Sequence, residues 1–146
     1  MPYLVDSNIL LRIAQPTHAM HGSAKTAAVK LFTSGQRLVI LRQNVREFWN
    51  VCTRPSERNG LGFDHRHTEI EVQKLEATFT VLDDGPAIYK EWRRLVLAHS
   101  VTGVQVHDCY LAAAMKVHGL THILTFNTTD FKRYPHVTAV DPNSIR

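Results

Sequence analysis

Short apolar runs alternate with segments of helical periodicity along the whole of this 146-residue chain. Tyr3-Leu4-Val5, Arg37 to Leu41, Phe79 to Leu82, His122 to Thr125 and Val137 to Val140 read as strands. Between them apolar residues recur at offsets of three and four. Ile9, Leu10 and Ile13 mark a short helix that Ser7-Asn8 can cap and Pro16 ends. Ala24, Ala27, Ala28, Leu31 and Phe32 mark a second, from about Ala19 to Ser34, with Gly35 beyond its end. Val45, Phe48, Trp49 and Cys52 mark a third, from Gln43 to about Arg54. Asp64 is placed to cap a helix holding Ile70, Val72 and Leu75, and Pro86 suits the first turn of one carrying Ile88, Trp92, Leu95 and Val96. Val106 to His118 forms a very apolar helix stopped by Gly119, and Thr128 to about Arg133 a helical turn. Ser56 to Gly62 and His99 to Gln105 are loops. This alternation predicts an α/β fold, a three-layer doubly wound parallel sheet with helices on both faces. Neither a repeat nor a linker interrupts it, so a single domain over residues 1–146 is expected.

In such a sheet a ligand site lies outside the carboxyl ends of the strands, so residues that follow strands carry the most information. Asp6 ends the first strand. It is either a capping acid for the next helix or a metal ligand at the floor of a crevice. Asp108 begins one apolar face of its helix, with Leu111, Ala112 and Met115, while Val106, Cys109, Tyr110, Ala113 and Val117 form another. A buried carboxylate without a partner is costly, so Asp108 needs either the helix N-terminus or a cation. Glu47 lies nearly opposite its helix's apolar stripe, which by pattern alone makes it a solvent-facing charge. Asn127 follows the fourth strand, and Asp130 is either a ligand or a first-turn acid. Asp83 and Asp84 also follow a strand, and position alone does not dismiss them.

Taken together, Leu4-Val5-Asp6-Ser7-Asn8-Ile9-Leu10, Asn44-Val45-Arg46-Glu47-Phe48, His107-Asp108 with Leu111-Ala112-Ala113, and Leu124-Thr125-Phe126-Asn127-Thr128-Thr129-Asp130-Phe131 resemble the PIN-domain nucleases, and most closely the VapC-type toxins of bacteria. The four blocks stand in order and span nearly the whole chain. The resemblance implies strand order 3-2-1-4-5, which sets Asp6 beside Asn127 and moves Asp83 and Asp84 about 10 Å away, at roughly 4.8 Å per strand. It also promotes Glu47 to the site. It implies Asp6, Asp108 and Glu47 as ligands of Mg²⁺, with Mn²⁺ a possible substitute, Asp130 and Asn127 completing the catalytic set, and Ser7, Asn8 and Thr125 as donors holding the carboxylates. Many members carry an acid where this chain has Asn127.

The implied activity is metal-dependent hydrolysis of RNA phosphodiester bonds, leaving 5′-phosphate and 3′-hydroxyl ends, by the toxin of a type II toxin–antitoxin pair. The implied partners are an RNA substrate, a small cognate antitoxin and a second copy in a homodimer. An antitoxin tail would cross a groove involving Ile9, Ile13, Leu31 and Phe32. The alternative is a non-catalytic RNA- or protein-binding member of the same fold, which the neutral Asn127 keeps in play. Bulk properties agree with a polyanionic partner: net charge is +4 and the pI about 9.3. Arg12, Arg42, Arg46, Arg54, Arg58, Lys132 and Arg133 are candidates for the substrate path. The two cysteines, Cys52 and Cys109, sit in apolar helical patterns and read as small hydrophobes. The pairs His18/His21 and His65/His67 lack further ligands at zinc spacing. Without a signal peptide or membrane span in the sequence, a cytoplasmic protein is expected. No G-x-G-x-x-G or Walker loop follows a strand, and Asn8 stands where an aspartyl-nucleophile phosphatase would have a second acid.

Overall fold

The structure, a computed structural model, describes residues 1–145. Five parallel strands, β1 (Pro2–Val5), β2 (Arg37–Leu41), β3 (Thr80–Leu82), β4 (His122–Leu124) and β5 (Thr138–Val140), form one sheet in the order β3-β2-β1-β4-β5. Six helices connect them: α1 (Ser7–Ile13), α2 (His21–Thr33), α3 (Arg42–Thr53), α4 (His65–Thr78), α5 (Pro86–His99) and α6 (Gln105–His118). The expected fold class and strand order are both observed.

Successive side chains of the central strands point to opposite faces, and both faces are covered. Leu4, Val39, Leu41 and Ile123 enter a core completed by α5 and α6, with Ile88, Leu95 and Leu111 to Met115. Val5, Leu38, Ile40 and Leu124 enter a second core with α1 to α4, including Ile9, Leu10, Ala27, Phe48 and Leu75. Strands buried on both sides therefore read as continuous apolar runs. Cys52 and Cys109 are fully buried free thiols, one in each core.

Several local details differ from expectation. The α1 cap is Asp6, whose carboxylate accepts the Ser7 N–H at 2.7 Å; Ser7 and Asn8 stand inside the helix and turn elsewhere. Helix α2 starts at His21, because residues 18–20 are held in a turn by the Met20 N–H donating to His18 Nδ1. Phe79 caps α4 and is not part of β3. Val117 is 41% exposed, so the second apolar face of α6 is buried only over its first turns. In the loop after α3, Leu61 and Phe63 donate back to Val51 and Cys52 carbonyls, and Gly60 lies so close that a Cβ there would sit 1.9 Å from the Arg54 carbonyl oxygen. Among the described residues no helix is long and apolar enough to cross a membrane.

Candidate active site

Among the described residues six polar or charged ones are buried: Asp6, Ser7, Gln43, Asn44, Thr68 and Thr125. Five of them, all but Thr68, meet at the carboxyl ends of β1, β2 and β4. Burial of a polar group is unfavourable unless it is bonded, so such a concentration marks where the fold spends its polar groups on something other than packing.

Asp6 is the centre. It is 6% exposed, and its carboxylate accepts from the Ser7 N–H at 2.7 Å and the Thr125 hydroxyl at 2.9 Å. Thr125 Oγ1 also accepts from the Asn8 amide at 3.1 Å and the Asn127 N–H at 3.0 Å, and Asn8 Oδ1 accepts the Phe126 N–H. The end of β1 is thereby stitched to the segment after β4. Burial pushes the Asp6 carboxyl up to about 7, and repulsion from Glu47 and Asp108 adds to the effect, while its two hydrogen bonds oppose it.

Glu47 reaches the same place from α3. The wheel reading is right about its angle and wrong about its surroundings. The polar face of α3 meets the N-termini of α1 and α6, so Glu47 is half-buried there. Its carboxylate accepts from Ser7 Oγ at 2.8 Å and from Gln43 Nε2 at 2.8 Å. Gln43 donates at 2.9 Å to the His107 carbonyl as well, tying α3 to the first turn of α6. Asn44 accepts the Leu41 N–H at 2.9 Å, closing the helix start, and donates to Ser7 Oγ at 3.2 Å. Gln43 and Asn44 were given no role by sequence. The signal for Gln43 was its spacing of four from Glu47.

Asp108 stands in the first turn of α6 and makes no side-chain hydrogen bond or ion pair among the described residues, so it is not a cap. Burial raises its pKa to about 6, and repulsion from Asp130 and then Glu47 pushes the same way. Asp130, in a 3₁₀ turn over Thr128–Phe131, is exposed but near enough for Asp108 to feel it. Asn127 is exposed at the rim, joined through its backbone. Asp83 and Asp84 lie by the edge strand β3, where Arg42 and the Tyr110 hydroxyl engage them. The histidine pairs are spent elsewhere: His18 and His21 on backbone groups, His65 and His67 stacked on Trp49 and Phe63.

The donor set suits a hard divalent cation. Asp6, Glu47 and Asp108 repel one another, and among the described residues no basic side chain offsets Asp6 or Asp108. Among the described residues no three acidic, histidine or cysteine groups stand at ligand spacing, so the acids are gathered loosely and form no closed cage. Magnesium retains several waters and requires only one or two direct carboxylates beside substrate phosphate.

Comparison with known proteins agrees with the fold. A family model described as PIN domain matches residues 3–137. No curated protein matches the chain in sequence. Among solved structures, VapBC-1 from nontypeable Haemophilus influenzae is similar at TM-score 0.73 and 14% identity, over 99% of this chain and 100% of that one. A toxin–antitoxin complex from Klebsiella pneumoniae is similar at 0.67 and 21%, over 96% and 97%. Mycobacterium tuberculosis VapC20, described as a sarcin–ricin loop cleaving toxin, is similar at 0.62 and 17%, over 83% and 86%.

Proposed function

The chain belongs to the PIN-domain family, and from that premise we propose that it is a metal-dependent endoribonuclease, the toxin of a type II toxin–antitoxin pair. One observation carries the reading: carboxylates from the end of β1, from α3 and from α6 are brought together, partly buried, with no cation among the described residues to balance them. Structural repulsion of that kind is kept where a metal relieves it.

Asp6, Glu47 and Asp108 would hold Mg²⁺ or Mn²⁺, which when bound supplies Lewis-acid activation of water and neutralises charge on the phosphate. Thr125 and the Ser7 N–H fix the Asp6 carboxylate. Ser7 Oγ and Gln43 fix both oxygens of Glu47, which also lines an adjacent cleft and is placed to orient a water or hold its proton. Asp130 and Asn127 complete the rim.

A partner fits the other side of the molecule. A groove of about 680 Å³ runs between α2 and α4, lined by Leu10, Ile13, Val29, Phe32 and Phe79 among others, with Phe32 66% exposed. Of the four groove residues expected from sequence, Ile13 and Phe32 line it; Ile9 and Leu31 are core. The apolar segment of a small antitoxin suits this groove, and the protein acts as a homodimer.

The test is cleavage of single-stranded RNA by the purified protein with Mg²⁺, with EDTA as control. Asp6→Asn and Asp108→Asn should each lower the rate at least about a hundredfold, as loss of several kcal/mol of transition-state stabilisation demands. RNA binding without metal-dependent cleavage would favour the non-catalytic reading, which the neutral Asn127 supports.

A further inference from the structure

The polar face of α3 does not end at Glu47. Gln43, Arg46, Glu47 and Asn50 are spaced at offsets of three, four and seven, so they share one side of the helix, opposite the stripe of Val45, Phe48, Trp49 and Cys52. That side forms one wall of a cleft of about 660 Å³. The other wall carries two aromatic rings, Trp92 and Tyr110, beside Val106, His107 and Asp84. Trp92 on α5 is half-buried and donates its indole N–H to the Val106 carbonyl at 2.8 Å, which fixes the ring plane. Tyr110 on α6 stands 6.1 Å from it, centroid to centroid, and is held by its hydroxyl bond to Asp84. Arg46 and Asn50 are both exposed, and among the described residues neither side chain is engaged in a hydrogen bond or ion pair.

Nothing in the candidate chemistry uses Arg46, Asn50 or Trp92, yet Glu47 is a wall of this cleft and a member of the acid cluster at once. A molecule bound in the cleft therefore abuts the acids. Its volume accommodates one nucleotide, and its lining has the three kinds of group such a ligand needs. Fixed aromatic rings suit a base face, a free amide suits a base edge, and a guanidinium suits phosphate. A base enters such a site only when unpaired, since duplex RNA keeps its faces stacked and its major groove too narrow to read.

We propose that the cleft between α3 and the Trp92–Tyr110 wall is a nucleotide subsite, which takes one unpaired base of single-stranded RNA next to the acid cluster. Trp92 and Tyr110 supply its stacking surface, Asn50 faces the base edge, and Arg46 holds a neighbouring phosphate. The inference rests on the ribonuclease reading for its substrate but makes a separate demand, namely that binding is local to this cleft and independent of metal.

The test uses the full chain in EDTA, with Trp49→Phe so that Trp92 is the sole tryptophan reporter. Single-stranded hexaribonucleotides of A, C, G-containing or U sequence should quench Trp92 fluorescence saturably, and a duplex of the same sequence should quench much less. Arg46→Ala and Asn50→Ala, both exposed and expected to leave the fold intact, should each weaken binding several-fold. Asn50→Ala should also flatten the differences between bases, and Trp92→Leu should weaken binding about tenfold or more, measured by anisotropy of labelled RNA. Equal affinity and equal base preference in Arg46→Ala and Asn50→Ala would overturn the subsite even if the protein cleaves RNA. Quenching without metal-dependent cleavage would leave the subsite standing and remove the nuclease. A dimer weakened by these two substitutions, with RNA affinity unchanged, would assign the cleft to a second copy of the chain and overturn the proposal.

Discussion

The Asp6 carboxyl offers the sharpest physical test, because its protonation is coupled to folding itself. In the unfolded chain it titrates near 3.8; in the fold it is pushed up to about 7 by burial. Between those values the folded protein holds a proton that the unfolded chain has released. Stability must therefore fall as pH rises from about 4 to about 7, and level off above. The full shift corresponds to about 4 kcal/mol, and Asp6 is too buried for solvent to screen much of it. Asp6→Asn removes this titration. Asparagine caps a helix as well as aspartate, so the bond from the Ser7 N–H survives. Thr125 is less fortunate. Its hydroxyl donates to Asp6 and already accepts from Asn8 and the Asn127 N–H, so a new amide N–H facing it is poorly received, at a loss of about 1 kcal/mol. The two effects have opposite sign. At pH 8 in EDTA the variant should be more stable than the wild type by about 2–3 kcal/mol; near pH 4 it should be less stable by about 1 kcal/mol. The curves cross between. Urea unfolding in EDTA at half-unit steps from pH 4 to 8.5 measures this directly. Parallel curves, or a variant less stable at every pH, would refute the claim that Asp6 is a desolvated acid held among like charges.

The other predictions concern the remainder of the molecule. Because binding to the folded state alone is stabilising, Mg²⁺ or Mn²⁺ at millimolar concentration should raise the melting temperature of the wild type, and Asp108→Asn should blunt the response; a metal-independent Tm in the wild type would count against the acids as a cation site. Gly60→Ala forces a methyl into the Arg54 carbonyl and should destabilise by about 1–3 kcal/mol, visible as a lowered Tm; an unchanged melt would mean the loop relaxes freely. Phe32→Asp should leave stability within about 0.5 kcal/mol, since the ring is 66% exposed. If the groove holds an antitoxin, the same change should abolish capture of that partner, and undiminished capture would place the partner elsewhere.

Much of the architecture was open to inspection in the primary structure, for a reason visible in the two cores. Each strand is short and the central ones are buried on both faces, so they leave uninterrupted apolar words, and each intervening helix leaves a period of three to four. The strand-end position of Asp6 needed nothing more than that. Glu47 was different. A helical wheel gives the angle of a side chain about its own axis but not what stands there, and what stands there comes from far along the chain: the Ser7 hydroxyl, 40 positions from Glu47, and the His107 carbonyl, 64 positions from the Gln43 that bridges to it. The same distance hid Gln43 and Asn44. Asp108 was ambiguous between a first-turn acid favoured by the helix dipole and a ligand because both require the first turn of a buried helix; its lack of a backbone partner removes only a capping role. Asn8 misled in a smaller way, its capping chemistry being spent on Thr125 and Phe126 instead of its own helix.

The bond from Thr125 to Asp6 spans 119 residues and closes the pocket of acids from its far side. Its consequence is temporal. A chain emerging from the ribosome presents Asp6 first, Glu47 later, Asp108 later still, and each is harmless while the others are missing. The strand that seats Asp6 in the middle of the sheet, β4, is made after both Glu47 and Asp108, and sheet pairings across such separations form slowly. On the proposed function, a nascent or truncated chain thus lacks the complete acid cluster until Thr125 has been made. Any fragment ending before Thr125 should be inert toward RNA however much helix it contains. The interval before Thr125 emerges is a window in which an interacting protein can reach the chain before the acid cluster is complete.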